Sequence, residues 1–379
     1  MTLRFATILV LLSACDDVNT GIGVGPRDTG PDTGNGGIDT SIEDTTDTDE
    51  DQDDDGFSPS AGDCDDADPR VSPARDEDGS DEKDNDCDGK INEEFTGVDV
   101  AWVESSGAGH VLTIDKIGRI AADVPTGACV PFFLDHVVRD GQTAADEWII
   151  NDSLAGLARV TADGTCTPLA DFSDTEVYEY PPYGVTVTPD GAIYVVFTDQ
   201  FGTVAEDGTY TQLATWDPEA DFLGIGLAND PKTGQVGIFD MLGGFATWDA
   251  TSGFVIEHAP NFEAPELSTV SGSHGDDGSW YVPAVSAAGY GVYGFNPASS
   301  AWEMQDQWTD EDWAPFMLAV DGSDPKRMEF YVTATAGAFQ TVWRIIHGTN
   351  HADDLYASDG TDFGNYYGIV ADDGAGYAN

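Results

Sequence analysis

Lysine is almost missing from this sequence. Five occur in 379 residues, at positions 83, 90, 116, 232 and 326, and 14 basic residues of both kinds face 71 acidic ones, for a net charge of −57. Nucleic acid and anionic membrane surfaces are bound through Lys and Arg against phosphate, so that class of partner is excluded. The charge favours cations, or salty surroundings. Long apolar runs are missing too. Beyond the N-terminus nothing approaches the roughly 20 apolar residues that span a bilayer. There is no G-x-S-x-G, no phosphate-binding Gly-rich loop and no Cys–His pair with an orienting Asn, so the common catalytic signatures are absent. Six histidines are scattered. His347 and His351 have i,i+4 spacing, but the Gly, Thr and Asn between them read as loop and as surface residues.

The one apolar run opens the chain. MTLRFATILVLLSAC carries Arg4, then Phe5 to Leu12, then Leu12-Ser13-Ala14-Cys15. This is too short to span a membrane and has the form of a secretory signal peptide. LSAC resembles the lipobox of bacterial lipoproteins. That resemblance implies cleavage before Cys15 and lipid on its sulfur and amino group, which would hold the protein at the bacterial outer membrane or cell surface. Residues 15–50 are Gly, Thr, Asp and Pro with almost no apolar side chains. Such a segment cannot bury enough surface to offset ordering entropy, and it reads as a disordered acidic linker.

Residues 51–95 hold two matching loops. Asp51, Asp53 and Asp55 precede Gly56 and Phe57; Asp84, Asp86 and Asp88 precede Gly89 and Lys90. A hard cation such as Ca²⁺ takes six to eight oxygens, and alternate aspartates wrap carboxylates around one point while Gly makes the turn. The carbonyl of Phe57 or Lys90 would add an oxygen. This is the front half of an EF-hand loop. The back half departs from it. Position 12 is Gly62 in the first loop, followed by Asp63, with Asp65 and Asp66 close behind. In the second it is Phe95, with Glu93 and Glu94 just before. Taken whole, DxDxDGF…DCDDxDP…P…DNDCDG…NEE resembles the MopE-type metal-binding motif of secreted and surface proteins, common in myxobacteria and their relatives. One further Cys of that motif is replaced here by Asp78. The module keeps Cys64 and Cys87, and an isolated pair in an oxidising compartment should form a disulfide. It would close a loop of 23 residues and contribute about 3 kcal/mol. Three alternatives stay open: calcium, a soft metal held through Cys87, or an acidic extension of the linker with no ion.

From residue 96 to 379 aromatic and β-branched residues rise, and no long helical period appears. Strand–turn–strand units recur, with turns at Asp140-Gly141, Asp190-Gly191, Thr233-Gly234, Asp277-Gly278, Asp324-Pro325 and Asp373-Gly374, spaced 43–50 residues apart. A second strand pair follows at a similar offset. Four strands per repeat of this length predict an all-β fold, a β-propeller of six blades or alternatively seven, with one blade shared between the termini. A β-sandwich or β-helix is the rival. GVTVTPDGAIYVVFTDQFGTVAEDGTYTQLATW resembles blades of the NHL and gluconolactonase-like propellers, which implies a divalent ion held by Glu, Asn and Asp in the central channel; no such set is evident here. Cys129 and Cys166 stand at similar places in successive units, where a disulfide can be neither assumed nor dismissed. Trp216, Trp248, Trp302, Trp308 and Trp313 fall near strand ends and read as blade packing more than as a sugar platform.

Two functions follow. One is a surface lipoprotein whose calcium-binding module presents a propeller to a protein or glycan. The other is an exported hydrolase or lyase acting on sugars or lactones, which requires convergent Asp, Glu, Asn or His on the propeller axis. A third, blander reading is an acidic scaffold that binds ions without specificity.

Overall fold

In the computed structural model the described residues are 51–53, 55–73 and 87 of the acidic segment and, of the large domain, 97–104, 107–115, 118–127, 129–139, 142–152, 156–172, 182–262, 267–275, 277–308, 314–321, 328–336, 339–348, 352–357 and 365–372. The signal peptide, Cys15, the linker, and Asp84, Asp86, Asp88, Lys90, Glu93 and Glu94 lie outside them. The chain divides into two compact units, one holding the described part of the acidic segment and the other the large domain.

The large domain is a six-bladed β-propeller. Blade 1 contains β1 (Gly97–Val103), β2 (Gly109–Ile114) and β3 (Ile120–Pro125). Blade 2 is β4 (Pro131–Arg139), β5 (Gln142–Asp152), β6 (Gly156–Thr161) and β7 (Cys166–Asp171). Blade 3 is β8 (Gly184–Val187), β9 (Ile193–Phe197), β10 (Gln200–Val204) and β11 (Tyr210–Thr215). Blade 4 is β12 (Gly224–Asn229), β13 (Val236–Asp240), β14 (Phe245–Asp249) and β15 (Gly253–His258). In blade 5 the inner strand is broken into β16 (Leu267–Ser268) and β17 (Ser273–His274), followed by β18 (Trp280–Ser286), β19 (Gly289–Asn296) and β20 (Ala301–Trp308). Blade 6 is β21 (Ala314–Asp321), β22 (Glu329–Ala336), β23 (Phe339–Ile346) and β24 (Ala352–Ala357). The last strand, β25 (Asn365–Asp372), returns to blade 1 as its innermost strand.

Strand composition follows position. β9 (IYVVF) and β13 (VGIFD) are buried throughout, because blades cover both their faces and no polar side is needed. Outer strands such as β3 and β11 are mostly exposed. The apolar side chains fill the spaces between blades: Trp148, Ile150 and Val160 of blade 2 pack on Ala101 and Val111 of blade 1. Close approach demands glycine where inner strands converge. A Cβ at Gly226 of β12 would stand 2.9 Å from the Val270 carbonyl of the next blade.

The expected turn at Asp373-Gly374 lies outside the described residues, as do those at Asp140-Gly141 and Asp324-Pro325. β25 ends at Asp372 and pairs antiparallel with β1, Gly97 opposite Asp372 and Val103 opposite Asn365. The inner edge of blade 1 would otherwise be unpaired, and the terminal strand satisfies it. Cys129 and Cys166 are not in equivalent places. Cys129 precedes the inner strand of blade 2 and Cys166 opens its outer strand. They form a disulfide with Cα atoms 6.4 Å apart. Neither the seven-bladed nor the sandwich alternative describes the fold. Among the described residues no helix is long and apolar enough to cross a membrane.

Candidate metal centre

The first acidic loop is wound around its own carboxylates. Asp51 accepts the Asp55 N–H on Oδ1 (3.2 Å) and the Gly56 N–H on Oδ2 (2.9 Å). Asp53 Oδ1 also accepts the Asp55 N–H (3.2 Å), and Asp55 Oδ1 accepts that of Phe57 (3.0 Å). Gly56 has φ 103°, a left-handed conformation that suits glycine, and it makes the turn. One oxygen from each of Asp51, Asp53 and Asp55 lies within 4.8 Å of the others. Phe57 is half-buried, with its N–H turned to Asp55.

A second stretch follows. Pro59–Ala61 form a 3₁₀ turn that ends at Gly62. The Asp63 N–H donates to the Ser58 carbonyl (3.2 Å). Asp63 is 7% exposed, and its Oδ1 accepts the Asp65 N–H (2.9 Å). Asp66 reaches back to the first loop, where its Oδ1 accepts the Gln52 N–H (3.2 Å). Four buried oxygens are left over, with no hydrogen-bond donor: Asp53 Oδ2, Asp55 Oδ2, Asp63 Oδ2 and Asp66 Oδ2. Buried carboxylate oxygens without donors are costly unless a cation takes the place of water. Burial, and then the like charges of Asp55, Asp63 and Asp51, push the Asp53 carboxyl above its ordinary value, against the opposing N–H of Asp55.

These donors fit a hard cation. They are all oxygens, the ligand type of Ca²⁺, which takes six to eight of them. Cys87 offers nothing to a soft metal, because it is bridged to Cys64 with Cα atoms 5.6 Å apart. The Cys64 N–H points at Cys87 Sγ (3.1 Å). The structure thus brings Asp51, Asp53 and Asp55 together from the expected set, and buries Asp63 beyond the 3₁₀ turn.

In the propeller several buried polar groups are engaged with one another, while Asn151 Oδ1 and Asn229 Oδ1 are buried without a donor. Asp99 of β1 accepts from Thr113 Oγ1 (2.6 Å) and Trp148 Nε1 (2.6 Å) and contacts His136 Nε2 at 2.9 Å, tying blade 1 to blade 2. Asp135 of β4 accepts the Thr186 hydroxyl (2.8 Å) and the Val187 N–H (2.9 Å) of blade 3. His347 lies 2.8 Å from Asp306, which also accepts the Gly348 N–H. That is a link between blades 5 and 6, and His351 lies outside the described residues. Trp216 is buried and donates to the Thr198 carbonyl (2.7 Å), and Trp302 donates to that of Gly243 (2.7 Å). Trp248 packs on Tyr194 and Phe201. These three are blade packing. The Trp308 side chain and Trp313 are outside the description. Among the described residues, the one group of three or more side chains able to hold a metal is Asp51, Asp53 and Asp55.

No family model matches the chain, and no curated protein matches it in sequence. Its fold is similar to a chain of a nidogen/laminin complex, with a TM-score of 0.52 at 12% identity over 73% of this chain and 98% of that one. A TolB from Acinetobacter baumannii aligns over 74% of this chain and 67% of its own with a TM-score of 0.48 and 8% identity. A TolB-like protein from Agrobacterium tumefaciens gives 0.43 at 11% identity, over 73% and 98% of the two chains. At such identities the likeness speaks for the propeller fold alone.

Asp66 is the site residue that spacing arguments did not single out. Its text, DCDDADP, is acid-rich throughout, and only the contact with Gln52, 14 residues away, distinguishes it.

Proposed function

We propose that the chain is a calcium-holding surface protein. Lipid on Cys15 anchors it at a bacterial outer membrane or cell surface, the acidic module takes up Ca²⁺, and the propeller offers its surface to a protein or glycan. The observation that carries the calcium reading is the set of four buried oxygens of Asp53, Asp55, Asp63 and Asp66 without donors. A divalent cation answers that deficit, and calcium suits an irregular all-oxygen shell better than magnesium, which demands octahedral geometry and sheds water reluctantly. The propeller enters as a binding module, a ring whose blades are tied to one another by Asp99, Asp135 and Asp306.

Calorimetric titration of the full chain in detergent tests the reading. Saturable heat with CaCl₂ in the millimolar range or below is expected, with a weaker response to MgCl₂. An absence of saturable heat up to several millimolar calcium would sink it.

A further inference from the structure

Resting on that calcium reading, we infer that Asp63 and Asp66 are the closing ligands of the Asp51–Asp55 loop, and that the Cys64–Cys87 bridge sets the site's affinity by holding them in place. An EF-hand loop closes on a bidentate Glu at its twelfth position. Here that position is Gly62, which has no side chain and a left-handed φ of 103°. The 3₁₀ turn and Gly62 bend the chain, and the next residue, Asp63, is buried with its Oδ2 lacking a donor. Asp66 is pinned to the loop through the Gln52 N–H and also keeps an unpartnered buried oxygen. Loop and arm therefore each contribute two such oxygens.

The arm starts at the Asp63 N–H on the Ser58 carbonyl (3.2 Å), and the Ala67 and Asp68 N–H groups turn back on the Asp65 carbonyl (2.6 and 2.8 Å). Clustered carboxylates push it away from the loop. Two agents oppose that repulsion, the cation and the disulfide at Cys64, which sits between Asp63 and Asp65. Each holds the arm for the other, so calcium binding and bridge stability are linked, and linkage is reciprocal.

The test is calcium titration of the full chain carrying Asp63→Asn, Asp66→Asn or Asp68→Asn. Asp68 is paired with Arg70 at 2.7 Å and serves as the charge control. The first two variants should lose about tenfold or more in affinity, the control about twofold or less. If all three behave alike while Asp53→Asn abolishes binding, the loop works without the arm; the inference is then wrong and the calcium reading stands. If the unaltered chain takes up no calcium, both fall. A second measurement needs no variant. For each tenfold loss of calcium affinity on reduction by a dithiol, saturating calcium should make the Cys64–Cys87 potential about 30 mV more negative. The Cys129–Cys166 potential should not move. A Cys64–Cys87 potential indifferent to calcium would remove the positioning role.

Discussion

The two units use aspartate in opposite ways. In the propeller, carboxylates are engaged by the protein itself. Asp99 and Asp135 tie blades together, and the turn aspartates Asp163, Asp190, Asp207, Asp230, Asp249 and Asp277 each accept the N–H two residues on. In the acidic module four carboxylate oxygens are buried with nothing donated to them. The difference separates a carboxylate that completes a fold from one left with unused acceptor capacity, and the proposed cation site rests on the latter rather than on acid content.

The largest effect that would sharpen this contrast is at Asp99. Asp99→Ala leaves the Trp148 indole without its acceptor and removes the contact with His136, and should cost about 3–5 kcal/mol in urea unfolding, whether or not calcium is present. A calcium-dependent loss would break the separation between the units. Next comes calcium itself. At about 100 times its dissociation constant it should stabilise the module by about 2.7 kcal/mol. Hydrogen exchange should show slowed amides in the described part of residues 51–73 and unchanged rates in β9 and β13.

Smaller again is a pH effect in the propeller. Burial pushes Asp240 up to about 6, against donation from the N–H groups of Leu223, Leu242 and Gly244. A raised carboxyl favours the neutral form in the fold. Its stabilising contribution is complete below the ordinary value of 3.8 and is lost as pH rises through about 6. Propeller melting in EDTA should therefore move up as pH falls from about 7.5 to about 5, by an amount on the order of 2 kcal/mol, and Asp240→Asn should flatten that slope. Asp207 is the smallest case. The Thr209 hydroxyl and N–H hold it below its ordinary value. Asp207→Asn keeps one acceptor on an exposed turn, and should shift the melting midpoint by about 2 °C or less.

The propeller was legible because its signals are local and repeated. Asp-Gly turns at near-constant spacing mark where one strand ends and the next begins, and the incomplete units at the two ends pointed to a shared blade. Asp51, Asp53 and Asp55 were legible for the same reason, since alternate aspartates before a glycine describe one turn of chain. What escaped depends on contacts across sequence. Asp99 meets His136 and Trp148 at separations of 37 and 49 residues. The Cys129–Cys166 bridge was undecided because similar surrounding text suggested equivalent positions, whereas one cysteine lies before an inner strand and the other opens an outer one. The partner of β25 is distant in the same way: it is β1, at the other end of the domain.

That pairing has a consequence for when the protein can fold. β25 is the last strand of the domain to be made, yet it is the inner strand of the first blade. Blade 1 must wait, as three strands with an open inner edge, for about 240 residues to follow it before β25 begins. The ring becomes whole only after residue 372 has arrived. A chain cut short before Asn365 would carry five complete blades and one sticky edge, a species that a surveillance protease could tell from the finished product without recognising any part of its sequence.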